Sequence, residues 1–199
     1  LSIHVQSAIR IVFALSLLYA AALPAASGPD SPKAAVALAR SLEAEGKPDA
    51  ADRLLEQVVQ DASVESRWKW LAAQIWAVRA MALTADPEAP PAEAVALATR
   101  ASTAFQETNA EISSDAAILY DVGMCALLTG IDIDRGLTAL AAASHLQPTN
   151  AMVAEAGARL SEKAQLPWQA ASLWEVVAGY SKDTGTRARA TKRRNSLLQ

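Results

Sequence analysis

Almost every residue type that builds a catalytic centre is scarce in this chain. It holds one cysteine, Cys125, and two histidines, His4 and His145. A lone thiol forms no internal disulfide, so cysteine usage assigns no compartment. His145 has no Cys or carboxylate at ligand spacing, which argues against a zinc site. Gly-rich phosphate loops and nucleophile elbows are missing. Asp132 and Asp134 lie in a Gly-Ile-Asp-Ile-Asp run without the remaining calcium-loop ligands, so they read as turn and helix-cap residues. Cys125, beside Met124 and Leu127, reads as a small buried hydrophobe. These absences point away from an enzyme and imply no metal and no cofactor. The one basic cluster lacks interleaved aromatics on which bases stack, so nucleic acid is not an expected partner.

Strand signals are also missing, since no hydrophobic run alternates with period two. What is present is alanine, 46 of 199 residues. Alanine is the best helix former and lets helix backbones approach closely, so the expected class is all-α. Charge is divided unevenly. From Lys182 to the end there are six Lys or Arg against one acid, a local +5, whereas residues 28–181 carry −9.

Residues 1–27 have one cation, Arg10, no acid, an apolar stretch from Ile11 to Leu23, and small residues after it. That is the order of a secretory signal peptide, cleaved after Ser27 or Ala22, and the stretch is short for a span of roughly 20 residues. Export to the periplasm or the exterior follows. The alternative is an uncleaved anchor that holds the domain on the inner membrane, facing the periplasm.

After a linker over residues 28–32, helical hairpins recur. Ser31-Pro32 opens the first, Gly46 ends its first helix and Pro48 begins its second. Val36, Leu38 and Leu42 form one apolar face, and Leu54, Leu55 and Val58 the other. The second hairpin begins near Val64. Its helices are separated by Ala-Asp-Pro-Glu-Ala-Pro-Pro, where Pro87, Pro90 and Pro91 end the helix. The third spans Ser114 to Asn150. In the fourth, Asn150 caps one helix and Pro167 starts the next. A final helix from about Thr186 would place Ala190, Leu197 and Leu198 inward as a cap.

Gly123 and Gly157 occupy equivalent places 34 residues apart. Leu119, Val122-Gly123, Ala126, Gly130, Gly136, Leu140, Ala143 and Pro148 in the third hairpin, with Ala156-Gly157, Leu160, Ala170, Trp174 and Val177 in the fourth, give a pattern that resembles the tetratricopeptide repeat (TPR) family. The resemblance covers residues 33–181, with residues 182–199 as a basic C-terminal capping helix. It implies a right-handed superhelical array of about four antiparallel hairpins. The third and fourth depart from the family's pattern by roughly a residue in the turn, and the second by more.

In that family the first helices line a concave groove. The resemblance then makes Val36, Arg40 and Glu43, Lys69, Ala73 and Trp76, Tyr120, Met124 and Leu127, and Ala154, Ala158 and Ser161 the groove-facing candidates. Trp76, Tyr120, Met124 and Leu127 would be its apolar anchors, while Trp68, Trp70, Trp168 and Trp174 would pack between hairpins. Paired Lys and Asn for a carboxylate clamp are not matched. The implied function is an adaptor, scaffold or assembly factor that holds a protein segment. Rival readings are a small-ligand or transport-associated subunit and a membrane-anchored accessory subunit. Arg187, Arg189, Lys192, Arg193 and Arg194 are candidates for an anionic lipid or acidic partner.

Overall fold

The computed structural model describes residues 31–199, so the expectations for residues 1–27 and most of the linker lie outside the described residues. The chain divides into two compact units, one ending at Val64 and the other Glu65–Gln199. Every regular element among the described residues is helical, as the alanine content requires.

The first unit is one hairpin of α1 (Pro32–Ala44) and α2 (Pro48–Gln60). Ser31 accepts a hydrogen bond from the Ala34 N–H at 3.2 Å and Pro32 stands in the first turn, the capping expected from the sequence. Val36 and Ala39 of α1 meet Ala51, Leu55 and Val58 of α2. Leu38 is 47% exposed, against expectation. Two residues from Val36, it stands on the other side of the helix, and Ala39 takes the buried position instead.

The second unit holds α3 (Ser66–Leu83), α4 (Ala92–Glu107), a 3-10 turn (Ala110–Ile112), α5 (Ala116–Thr129), α6 (Ile133–Leu146), α7 (Ala151–Lys163), α8 (Pro167–Tyr180) and α9 (Thr184–Leu197). Each helix packs chiefly on its chain neighbour, and the first helices also pack on one another, α3 on α5 and α5 on α7. Asn150 accepts from the Met152 and Val153 N–H groups, and Pro167 begins α8, both as read. Asp132 precedes α6 as expected but in the left-handed region at φ 53°, and its side chain caps nothing. Its carbonyl takes the Gly136 N–H instead.

The α5–α6 crossing shows what the small residues do. A methyl at Gly136 would overlap the Ala126 methyl and come within 2.9 Å of the Leu160 side chain. A methyl at Gly123 would fall inside Leu140. The two backbones meet where side chains are missing, and Leu119, Leu140 and Leu160, all essentially unexposed, fill the surrounding holes.

The 3-10 turn has no counterpart in the sequence reading. Arg135 of α6 fastens it, donating to Glu111 through Nη2 at 2.6 Å and Nε at 2.9 Å, and to the Phe105 carbonyl at 2.6 Å. At the other end, α9 begins at Thr184, capped by Asp183, and lays Ala190 and Leu197 on a cluster of Ala154, Ala158, Ala170, Trp174 and Val177. Leu198, expected inside as well, is 47% exposed. Among the described residues no helix is long and apolar enough to cross a membrane.

Candidate functional site

In the second unit the groove candidates separate into buried and reachable residues. Trp76, Met124 and Leu127 are 3%, 8% and 3% exposed, so these three proposed anchors belong to the core of the folded unit. Ala73, Ala154, Ala158 and Ser161 are buried as well. The cause is the position of α5. It packs on α3, α4, α6, α7 and the 3-10 turn, and 11 of its 14 residues are buried. On a helix surrounded this closely, the face that a repeat pattern assigns to ligand is covered by neighbours. The Trp76 ring is covered by the Arg100 guanidinium, 4.5 Å from its centroid. Lys69 and Tyr120 are partly buried, with the Tyr120 hydroxyl itself sunk in the unit, and they are the second-unit candidates that keep some exposed surface.

The first unit repeats this division on a smaller scale. Val36 is buried, and Arg40 and Glu43 are half-buried. Burial of the Arg40 guanidinium lowers its pKa from the ordinary value. Of the four tryptophans expected to pack, Trp174 does so at 4% exposure, Trp68 and Trp70 are half-buried, and Trp168 is 75% exposed at the start of α8.

Around Tyr120 the helices present acids. Its hydroxyl is pushed up by burial, then by the charges of Asp121 and Glu155. Asp121, 3% exposed, accepts a hydrogen bond from the Gln74 side chain of α3 at 2.7 Å. Burial raises its pKa to about 7, with Asp115 adding to the rise and Gln74 opposing it. The sequence did carry this signal, as one acid in the otherwise apolar run from Ala116 to Leu128. Cys125 lies beside it, 1% exposed, its thiol pushed up by burial and by Asp121, which is the inert packing role expected. His145 is exposed.

Beyond Tyr120 runs a chain of ion pairs. Glu155 pairs with Arg159 at 2.9 Å, and Arg159 with Glu88 at 3.2 Å. Arg193 pairs with Glu88 at 3.1 Å and with Glu162 at 2.6 Å, and the Trp174 indole N–H donates to Glu162. Only the Glu155–Arg159 pair, at i,i+4, was legible in the sequence. Glu88 is separated from its two arginines by 71 and 105 residues, and nothing local announces those contacts.

The cations set aside for an anionic partner are therefore largely engaged inside the unit. Arg193 has its charged form strengthened first by Glu162 and then by Glu88. Arg187 donates to the Ser181 carbonyl, Arg189 to the Thr186 hydroxyl, and Arg194 to Asn195 with Glu175 at 3.7 Å. Lys192 lines a shallow open depression on the outer face of α9 with Ala188, Thr191, Asn195, Ser196 and Gln199. Among the described residues no group of three or more His, Cys, Asp or Glu is placed to hold a metal ion.

No family model matches the chain, and no curated protein or solved structure is significantly similar to it. The tetratricopeptide resemblance thus rests on the residue pattern alone.

Proposed function

We propose that this chain is an exported helical-repeat binding protein, tetratricopeptide-like in plan, that works as an adaptor, scaffold or assembly factor for a protein segment. The observation that carries the reading is the side-by-side packing of α3, α5 and α7, the first helices of three successive hairpins, with Gly123 and Gly157 one 34-residue period apart. In this reading the hairpins stack through their first helices as a superhelix whose inner face is largely covered around α5. On that face Tyr120 and Lys69 are the contact residues proposed in the second unit. Tyr120 is the anchor, an aromatic that keeps part of its surface open on the first helix of its hairpin.

Catalysis is not proposed. The one thiol is buried and its pKa is raised, the wrong direction for a nucleophile. The test is capture from an envelope extract with the full chain as bait, beside Tyr120→Ala. A discrete partner whose retention falls tenfold or more, about 1.4 kcal/mol, supports the groove. A partner held equally well by a Tyr120→Ala/Lys69→Ala double variant overturns it. Trp76→Ala is unsuited as a control because Trp76 belongs to the core.

A further inference from the structure

The connection between α3 and α4 runs over residues 84–91, and its sequence builds a particular shape. Asp86-Pro87-Glu88-Ala89 has Asp at the first turn position and Pro at the second, the preferred residues of a tight turn. The structure makes that turn. The Asp86 carbonyl accepts the Ala89 N–H and its carboxylate the Glu88 N–H, both at 3.0 Å. Pro90 and Pro91 follow and lead into α4. Pre-set φ angles lower the entropy cost of holding Glu88 in one place.

Glu88 is aimed at helices two and more elements away. One of its carboxylate oxygens takes both Arg159 of α7, at 3.2 Å, and Arg193 of α9, at 3.1 Å. Helix α5 lies between α3 and α7, packed on both. The α7 residue Lys163, one turn beyond Arg159, donates to the Leu127 carbonyl near the end of α5 at 2.9 Å. The connection that leaves α3 at Leu83 is thus pinned to α7, the helix on the far side of α5. Glu88 and Arg193 remain half exposed, at 51% and 46%, so the contacts that hold this span are open to screening by salt.

We propose that the α3–α4 connection is an ionic strap from α3 to α7 and α9, closed by Glu88 on Arg159 and Arg193, which opens when those charges are screened. The closed strap ties the second hairpin to the last helix, a link between residues 105 positions apart. Opening frees Arg159 and Arg193 from their shared acid. It also removes the tie that spans from α3 to α7. The strap needs no partner in order to exist, so it stands or falls independently of the adaptor reading.

Hydrogen exchange on the full chain reads it directly. In wild type, the amides of Thr84, Ala85, Asp86, Glu88 and Ala89 are expected to exchange roughly three- to tenfold faster in about 500 mM than in about 20 mM NaCl. Glu88→Gln should show the fast rate at both salt concentrations. Glu88→Gln/Arg193→Gln should be no faster than Glu88→Gln alone at residues 84–91, because Arg193 acts on this connection through Glu88. Amides of α5 serve as the control that the unit stays folded, and the salt arm reads the strap in the unaltered chain. A salt-independent rate at residues 84–91 in wild type, or a Glu88→Gln rate equal to wild type, overturns the proposal.

Discussion

Helices α5 and α9 have the same length, 14 residues, and opposite means of support. In α5, 11 residues are buried and the partners lie on every side. In α9 only Ala190 is buried, and the helix is held by one apolar stripe on a cluster from α7 and α8 together with the Arg187, Arg193 and Arg194 contacts. A helix like α5 is fixed by packing, which is local in space, dense and insensitive to salt. A helix like α9 is fixed by a few contacts near the surface, each of them small. The middle of the second unit should therefore behave as the stable body, with its C-terminal end as the part that conditions adjust.

The strongest challenge to this contrast is a cavity at the centre. Leu119 is fully buried in α5, and Leu119→Ala should cost about 2–5 kcal/mol, the range for a large core residue that its neighbours cannot collapse upon. Urea unfolding of the isolated variant measures it. A cost under 1 kcal/mol would mean that α5 is looser than its burial implies.

A second test uses the one polar group that the central helix buries. The carboxyl of Asp121, raised to about 7 when folded, stands near 4 in an unfolded chain. Below about pH 4 it is protonated in both states and costs nothing. As pH rises from 4 to 7 the unfolded chain releases the proton first, so stability falls, and above 7 the full cost is present, on the order of 4 kcal/mol. Asp121→Asn keeps a polar group for Gln74 and should flatten that part of the pH–stability curve. If the curve of the Asn variant falls just as wild type does between pH 5 and 7, the dependence belongs to another group.

Much of this architecture was legible because it rests on local chemistry. Ser31, Pro48, Asn150 and Pro167 mark helix starts through their own backbone preferences, and Gly123 and Gly136 mark a crossing because only glycine tolerates one there. The inner surface was less legible. A repeat pattern gives the direction in which Met124 and Leu127 project but not what lies there, and α5 is enclosed on that side too. The 3-10 turn at Ala110–Ile112 and the Glu88 contacts were illegible for a related reason. They depend on Arg135, Arg159 and Arg193 arriving from distant segments, and a long cationic side chain has no spacing rule across 24, 71 or 105 residues.

The smallest expected effect sharpens the contrast from the other side. Leu197, near the end of α9, is partly buried against the cluster that includes Trp174 and Val177. Its side chain loses only part of its water on folding, and the adjoining chain end can adjust. Leu197→Ala should therefore cost about 0.5–1.5 kcal/mol, well below Leu119→Ala although the same atoms are removed. Exchange of the α9 amides should speed up in step with that loss while α5 amides stay protected, because local opening of the end helix does not require unfolding of the centre. Equal acceleration in both helices would show that α9 and α5 unfold as one cooperative unit, and the division into a packed centre and an adjustable end would have to be given up.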